Sequence, residues 1–305
     1  MGVWGSGLYS GDFAADLRAA IRTVARLPFE GDKLVDILSG IEPTAANNPE
    51  DEEHTTFSLV LADQFAKRGI VCERVRDKAL RIIDDGADLA MLAKLGMEPV
   101  LLRRRQEMLT ELRDRIESAP LNGKLRPVLK KPQPFLMGVG DVLVYPTSRG
   151  KCINSYYPSK ERIPNWKQDG WGSALVVAVG RAFEFLAWYR PATIFAALTA
   201  KPMLAELRSM SPWVLKRPGT CSAVHFKRME LEKIGSFPVD STKLNASFPQ
   251  LKPGTYQAIN DISIANELSV APSNSVAAAG ELRKGVRAET TLSKLDDILL
   301  SEAAD

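Results

Sequence analysis

Two histidines, His54 and His225, and three cysteines, Cys72, Cys152 and Cys221, bound the nucleophilic and metal chemistry open to this chain. Cys221 and His225 lie four residues apart, a spacing that puts both on one face of a strand. Cys152 would have to join them from elsewhere. A structural zinc wants four ligands in tight pairs, and only one pair is present, so the segment reads as a packed strand with no metal and no cofactor. A Cys–His nucleophile needs the two side chains within hydrogen-bond reach, and no flanking signature points to one. His54 follows Glu52 and Glu53 and lacks the His-Glu-x-x-His spacing of a helical metal site. The carboxylates at 50–53, 84–85 and 296–297 fall at helix ends or on polar helix faces, as solvated caps do. Arg103, Arg104 and Arg105 sit in a helix beside Glu107, which makes Arg103–Glu107 an i,i+4 pair. The glycines at 5, 7 and 11 precede a helix, but only four residues stand before Gly5, too few for the strand that a phosphate loop requires. Trp4 is instead expected to plug the helical domain.

The densest constellation lies in the middle of the chain: Tyr156, Tyr157, Lys160, Arg162, Trp166, Lys167 and Trp171. Aromatic and cationic side chains on a loop form a common recognition surface for proteins. The same mixture also suits stacking and phosphate contact with single-stranded nucleic acid. No two catalytic-type residues share a spacing that a reaction would demand. The expected function is therefore non-enzymatic: a protein-binding protein, with nucleic-acid binding as the alternative.

Charge points to the same region. Residues 1–120 hold 16 Lys/Arg and 21 Asp/Glu, residues 121–235 hold 18 and 7, and residues 236–305 hold 6 and 9. The overall +3 thus hides a basic middle flanked by acidic ends, which implies separate modules and an anionic partner surface for one of them. An odd, scattered cysteine count fits a reducing compartment, and a cytoplasmic location is expected. No run approaches the roughly 18 apolar residues of a membrane helix.

The elements that must carry these residues form an α+β protein. At about 150 residues per domain, 305 residues make two domains. Helical periodicity predicts helices over 12–27, 32–38, 50–67, 73–84, 88–95 and 98–118, with a loop over 41–50. That makes 1–118 a helical module. A break at 119–123 opens a basic, proline-containing linker over 119–135. A β-rich module follows over 136–237. Strands are expected at 140–146, 151–157, 221–226 and 231–237, and a hairpin over 173–189 turning at Gly180. A helix is expected over 201–210. Residues 238–305 read as a loosely structured extension with weak helices at 261–268 and 290–300 and a mobile stretch over 271–279.

The opening Met1-Gly2-Val3-Trp4-Gly5-Ser6-Gly7, followed by Leu8-Tyr9 and Asp12, resembles a bacterial family of unknown function whose chains begin Met-Gly-x-Trp-Gly-x-Gly. Relatives of that family are suspected immunity proteins of toxin systems. The resemblance implies a partner-occluding role, and it brings no catalytic residues. The segment Gly140-Asp141-Val142-Leu143-Val144-Tyr145-Pro146 loosely resembles the strand that opens a small β-barrel in another toxin-immunity family. That resemblance implies a small barrel for the β-rich module.

Overall fold

A computed structural model describes residues 5–118, 126–195, 198–248, 268 and 291–300. It divides the chain into two compact units that meet in sequence between Lys131 and Pro132. Trp4, the break at 119–123, the mobile stretch at 271–279 and all but Leu268 of the 261–268 helix lie outside the described residues.

The first unit is helical: α1 (Asp12–Val24), α2 (Gly31–Ile41), α3 (Pro43–Asn47), α4 (His54–Arg68), α5 (Glu73–Asp84), α6 (Ala87–Lys94) and α7 (Pro99–Ser118). In α1, Ala14, Leu17, Ala20, Ile21 and Val24 are buried at the expected i, i+3, i+4 spacing. The loop expected at 41–50 contains the short α3, started by Pro43 in its first turn. Helix α4 is the centre of the unit, with eleven of its fifteen residues buried, so apolar side chains run all round it. Each of Phe57, Leu59, Val60 and Phe65, all at most 3% exposed, contributes roughly 1.5–3 kcal/mol by leaving water. The acidic run expected to open this helix precedes it. There the Asp51 carboxylate accepts from the Glu53 amide at 2.9 Å, and the Asp51 carbonyl accepts from His54 N–H at 3.0 Å. Gly69, at φ +62°, ends the helix in the left-handed region.

Two buried carboxylates fasten this unit. Asp88 holds Arg105 through Nε at 2.8 Å and Nη2 at 3.1 Å, and Arg105 Nη1 donates to the Gly7 carbonyl at 3.0 Å. Asp63 accepts from Tyr9, Lys67 and Arg115. The glycine-rich opening segment is thus tied by Gly7 and Tyr9 to the helices. At the other end, Arg126 donates to the carbonyls of Ala25, Leu27 and Phe29, where α1 finishes.

The second unit carries β1 (Asp141–Ser148), β2 (Lys151–Cys152), β3 (Gly170–Ala182), β4 (Leu186–Ile194), α8 (Leu204–Ser209), β5 (Trp213–Leu215), β6 (Gly219–Thr220), α9 (Ala223–Arg228), β7 (Glu232–Ser236), α10 (Ser241–Ser247) and β8 (Thr291–Leu292). All strand pairs are antiparallel, in the order β2-β1-β3-β4-β5-β8, with β6 beside β4 and β7 beside β1. The sheet is open, so the barrel that the second resemblance implies is not formed. Its two faces carry separate cores. Val142, Val144, Leu175 and Val177 join one, and Leu143, Tyr145, Ala174 and Val176 join the other. That is the period-2 alternation of a pleated strand, and burial of both faces fits the unbroken apolar run from Val142 to Tyr145 in β1.

Four expectations for this unit are corrected. The hairpin turns at 183–185, with Phe183 and Glu184 at positive φ, and not at Gly180. Gly180 pairs with Trp188, and a Cβ there would lie 2.4 Å from the indole, so the glycine makes room for a ring. The strand expected at 221–226 is helix α9, capped by Ser222 Oγ, which accepts from His225 N–H at 3.1 Å. The helix expected at 290–300 is β8 followed by a single 3-10 turn at Leu295–Asp297, and Leu292, Leu295, Ile298 and Leu299 are buried in one sheet core. The strand expected over 151–157 is shorter, stopping at Cys152. Among the described residues, no helix is long and apolar enough to cross a membrane.

Candidate binding surface

The segment between β2 and β3 presents the aromatic–basic constellation. Its first part is anchored from below. Ile153 and Ser155 are buried, and Arg228 Nη1 of α9 donates to the Ser155 carbonyl at 3.1 Å. The Asn154 side chain accepts from Tyr156 N–H at 3.0 Å, an Asx turn that throws the next side chains outward. Tyr156 is 55% exposed and Tyr157 is 36% exposed. The Tyr156 ring meets His225 edge-on, with centroids 5.5 Å apart. Lys160, in a one-turn 3-10 helix at Lys160–Arg162, is held by Glu230 at 2.9 Å. Tyr156 and Lys160 thus sit against α9 and Glu230, two residues beyond its end.

The remaining members go elsewhere. Arg162 is exposed. Trp166 is half-buried, and its Nε1 is buried without a hydrogen-bond partner among the described residues. Lys167 lies beside the β1–β2 turn, its N–H donating to Ser148 Oγ at 3.3 Å. The Asp169 carboxylate accepts from the Arg149 N–H of that turn at 2.8 and 3.0 Å. Trp171 belongs to β3. Its backbone exchanges two 2.7 Å hydrogen bonds with Leu198, and Lys201 Nζ lies 5.7 Å from its ring centre. Trp171 is therefore part of the sheet more than of the loop surface.

His225, Arg228 and Glu230 complete the surface, and a strand over 221–226 does not bring them there, whereas helix α9 does. The signal was Ser222, an N-cap residue with its bonding partner three positions on. The helix also separates the supposed metal ligands. Cys152 and Cys221 are buried in one core, whereas His225 faces Tyr156. Burial pushes the Cys221 thiol up to about 12 and the Cys152 thiol higher still, so both stay protonated and un-nucleophilic near neutral pH. No group of three His, Cys, Asp or Glu side chains among the described residues is placed to hold a metal ion. The arrangement suits recognition: rigid aromatic rings with paired charges around them.

Comparison of the chain with protein-family models, with curated proteins and with solved structures finds no match.

Proposed function

We propose that this chain is a protein-binding protein whose partner seats on Tyr156 and Tyr157. One observation carries the reading: two exposed tyrosines stand on a loop fixed by Arg228 and Asn154, and Lys160 on the same loop is already matched by the Glu230 carboxylate, as other lysines of this unit are by theirs. Lys160 pairs with Glu230 at 2.9 Å, Lys201 with Glu232 at 2.6 Å and Lys233 with Asp141 at 2.6 Å. Tyrosine anchors inside a rim of paired charges are characteristic of protein interfaces. A phosphate backbone would ask for unpaired cations. The immunity reading, in which the partner is a toxin and binding occludes it, rests on the N-terminal resemblance and supplies the partner class to try first.

Tagged full-length protein, captured from its native lysate with nuclease present, tests this. Tyr156→Ala with Tyr157→Ala should lose a stoichiometric protein partner, an affinity drop of roughly 30-fold or more if each ring is an anchor. Both side chains are exposed, so the fold is expected to survive. Retention of the partner by the double variant would overturn the assignment of this surface. Nucleic-acid binding is the second reading, favoured by Arg149, Lys151 and Lys167, which gather at the β1–β2 turn. It requires that nuclease abolish capture and that affinity fall steeply with salt.

A further inference from the structure

The helical unit holds a cleft that the surface above does not involve. It lies between the start of α4, α5 and α6, with a volume of about 730 Å³, within the range of small-molecule sites. Its lining includes Glu50, His54, Thr55, Lys78, Arg81, Asp85 and Lys94.

His54 is the informative member. It is only 8% exposed, and its Nδ1 lies 2.8 Å from the Ala45 carbonyl. A carbonyl only accepts, so Nδ1 carries the proton. In the neutral ring Nε2 is then a bare acceptor, and it has no hydrogen-bond partner among the described residues. Burial and the neighbouring Lys78 both hold the ring neutral by lowering its pKa, against the Ala45 bond and Asp51. Lys78 on α5 and Asp51 ahead of α4 act on the ring, and the other charged groups lining its cleft are Glu50 ahead of α4, Arg81 on α5, Asp85 at the end of α5 and Lys94 on α6; α3 brings none.

The cations have donors to spare. Lys78 Nζ uses one on the Ala46 carbonyl at 3.2 Å. Among the described residues Arg81 commits Nε alone, to the Asp77 carbonyl at 3.4 Å, and its two terminal nitrogens are left over. Three cations against two lining carboxylates favour an anion, best met by charge-assisted bonds to phosphate. The Nε2 acceptor and the two carboxylates ask for donors. A ligand carrying a phosphate and several hydroxyls matches these groups in kind, an anion for the cations and donors for the acceptors.

We propose that this cleft binds a small phosphorylated polyol, with its phosphate on Lys78, Arg81 and Lys94 and one hydroxyl donating to His54 Nε2. The chain has only two histidines, so ring ¹⁵N signals of the full-length protein report the site directly, with His225→Asn assigning them. Ribose 5-phosphate, inorganic phosphate and ribose serve as probes at one slightly alkaline pH. Ribose 5-phosphate should move the His54 Nε2 signal and leave His225 in place, whereas ribose should move neither. Lys94→Met and Arg81→Met, both exposed substitutions, should each weaken binding about tenfold or more. A His54 signal unmoved by ribose 5-phosphate overturns the proposal. Inorganic phosphate moving Nε2 as far as the ester does would overturn the hydroxyl assignment, since the anion alone would then account for the shift.

Discussion

A methyl group at Gly172 would stand 2.3 Å from Tyr145 Cε2, on a ring that is fully buried and cannot swing away. The Tyr145 hydroxyl donates to the Leu268 carbonyl at 2.6 Å, which fixes the ring at its far end too. Gly172→Ala should therefore cost about 1–3 kcal/mol through forced repacking. Urea unfolding of the variant measures this, and a midpoint equal to the parent's would show that Tyr145 can yield. At His54 the prediction concerns pH. Burial lowers the folded-state pKa of the ring below the unfolded value of about 6.5. Between those two values the unfolded chain binds more protons, so stability is present above about pH 6.5 and is lost as pH falls through the folded pKa. His54→Asn keeps a donor for the Ala45 carbonyl but does not titrate. Its stability should fall less than the parent's on acidification through this window, and parallel pH profiles would refute the buried neutral ring. Neither residue was readable in advance. Gly172 looks like any strand glycine until the Tyr145 ring is across from it, and the free nitrogen of His54 depends on a carbonyl nine residues away.

Elements were readable where the pattern was long and misread where it was short. The amphipathic spacing of α1 and α7 is legible because each spans several periods, and β1 is legible as an unbroken apolar run between a glycine turn and a proline. Helix α9 has six residues, too few to separate a helical period from a strand's. Gly180 reads as a turn because glycine marks turns, whereas here the missing side chain seats Trp188 across the hairpin. The arginine run in α7 was matched to Glu107 on its own helix, but Arg105 turns inward to Asp88 on α6. Long-range pairing of that kind leaves no local trace. Its energetic consequence is large, because Arg105 is 4% exposed and Asp88 fully buried. Arg105→Met strands the Asp88 carboxylate and frees the Gly7 carbonyl, at a cost of about 3–5 kcal/mol. Replacing both partners together, Arg105→Met with Asp88→Leu, should recover much of that loss. Chemical denaturation of the single and double variants checks it, and equal losses in the two would mean that the charge pair is not the source.

At the scale of the whole molecule, the partition of charge between an acidic helical stretch and a basic middle was visible in composition alone. The pairing that tempers that basic excess, with Lys160, Lys201 and Lys233 each on a carboxylate, was not, because Glu230, Glu232 and Asp141 reach them through sheet and helix geometry. The two units also bring their own spectroscopic labels. Four of the five tryptophans fall between residues 166 and 213, in the sheet unit, while most of the helix lies before residue 119. Indole fluorescence therefore reports mainly the second unit, and far-ultraviolet circular dichroism at helical wavelengths mainly the first. Each unit encloses its own apolar core, so each is expected to melt as its own cooperative step. Arg105→Met should lower the circular dichroism midpoint by several degrees, about 5 °C or more, and leave the fluorescence midpoint near the parent's. Gly172→Ala should do the reverse. If instead both probes trace one coincident transition, and each variant moves both midpoints together, the two units unfold as a single cooperative body.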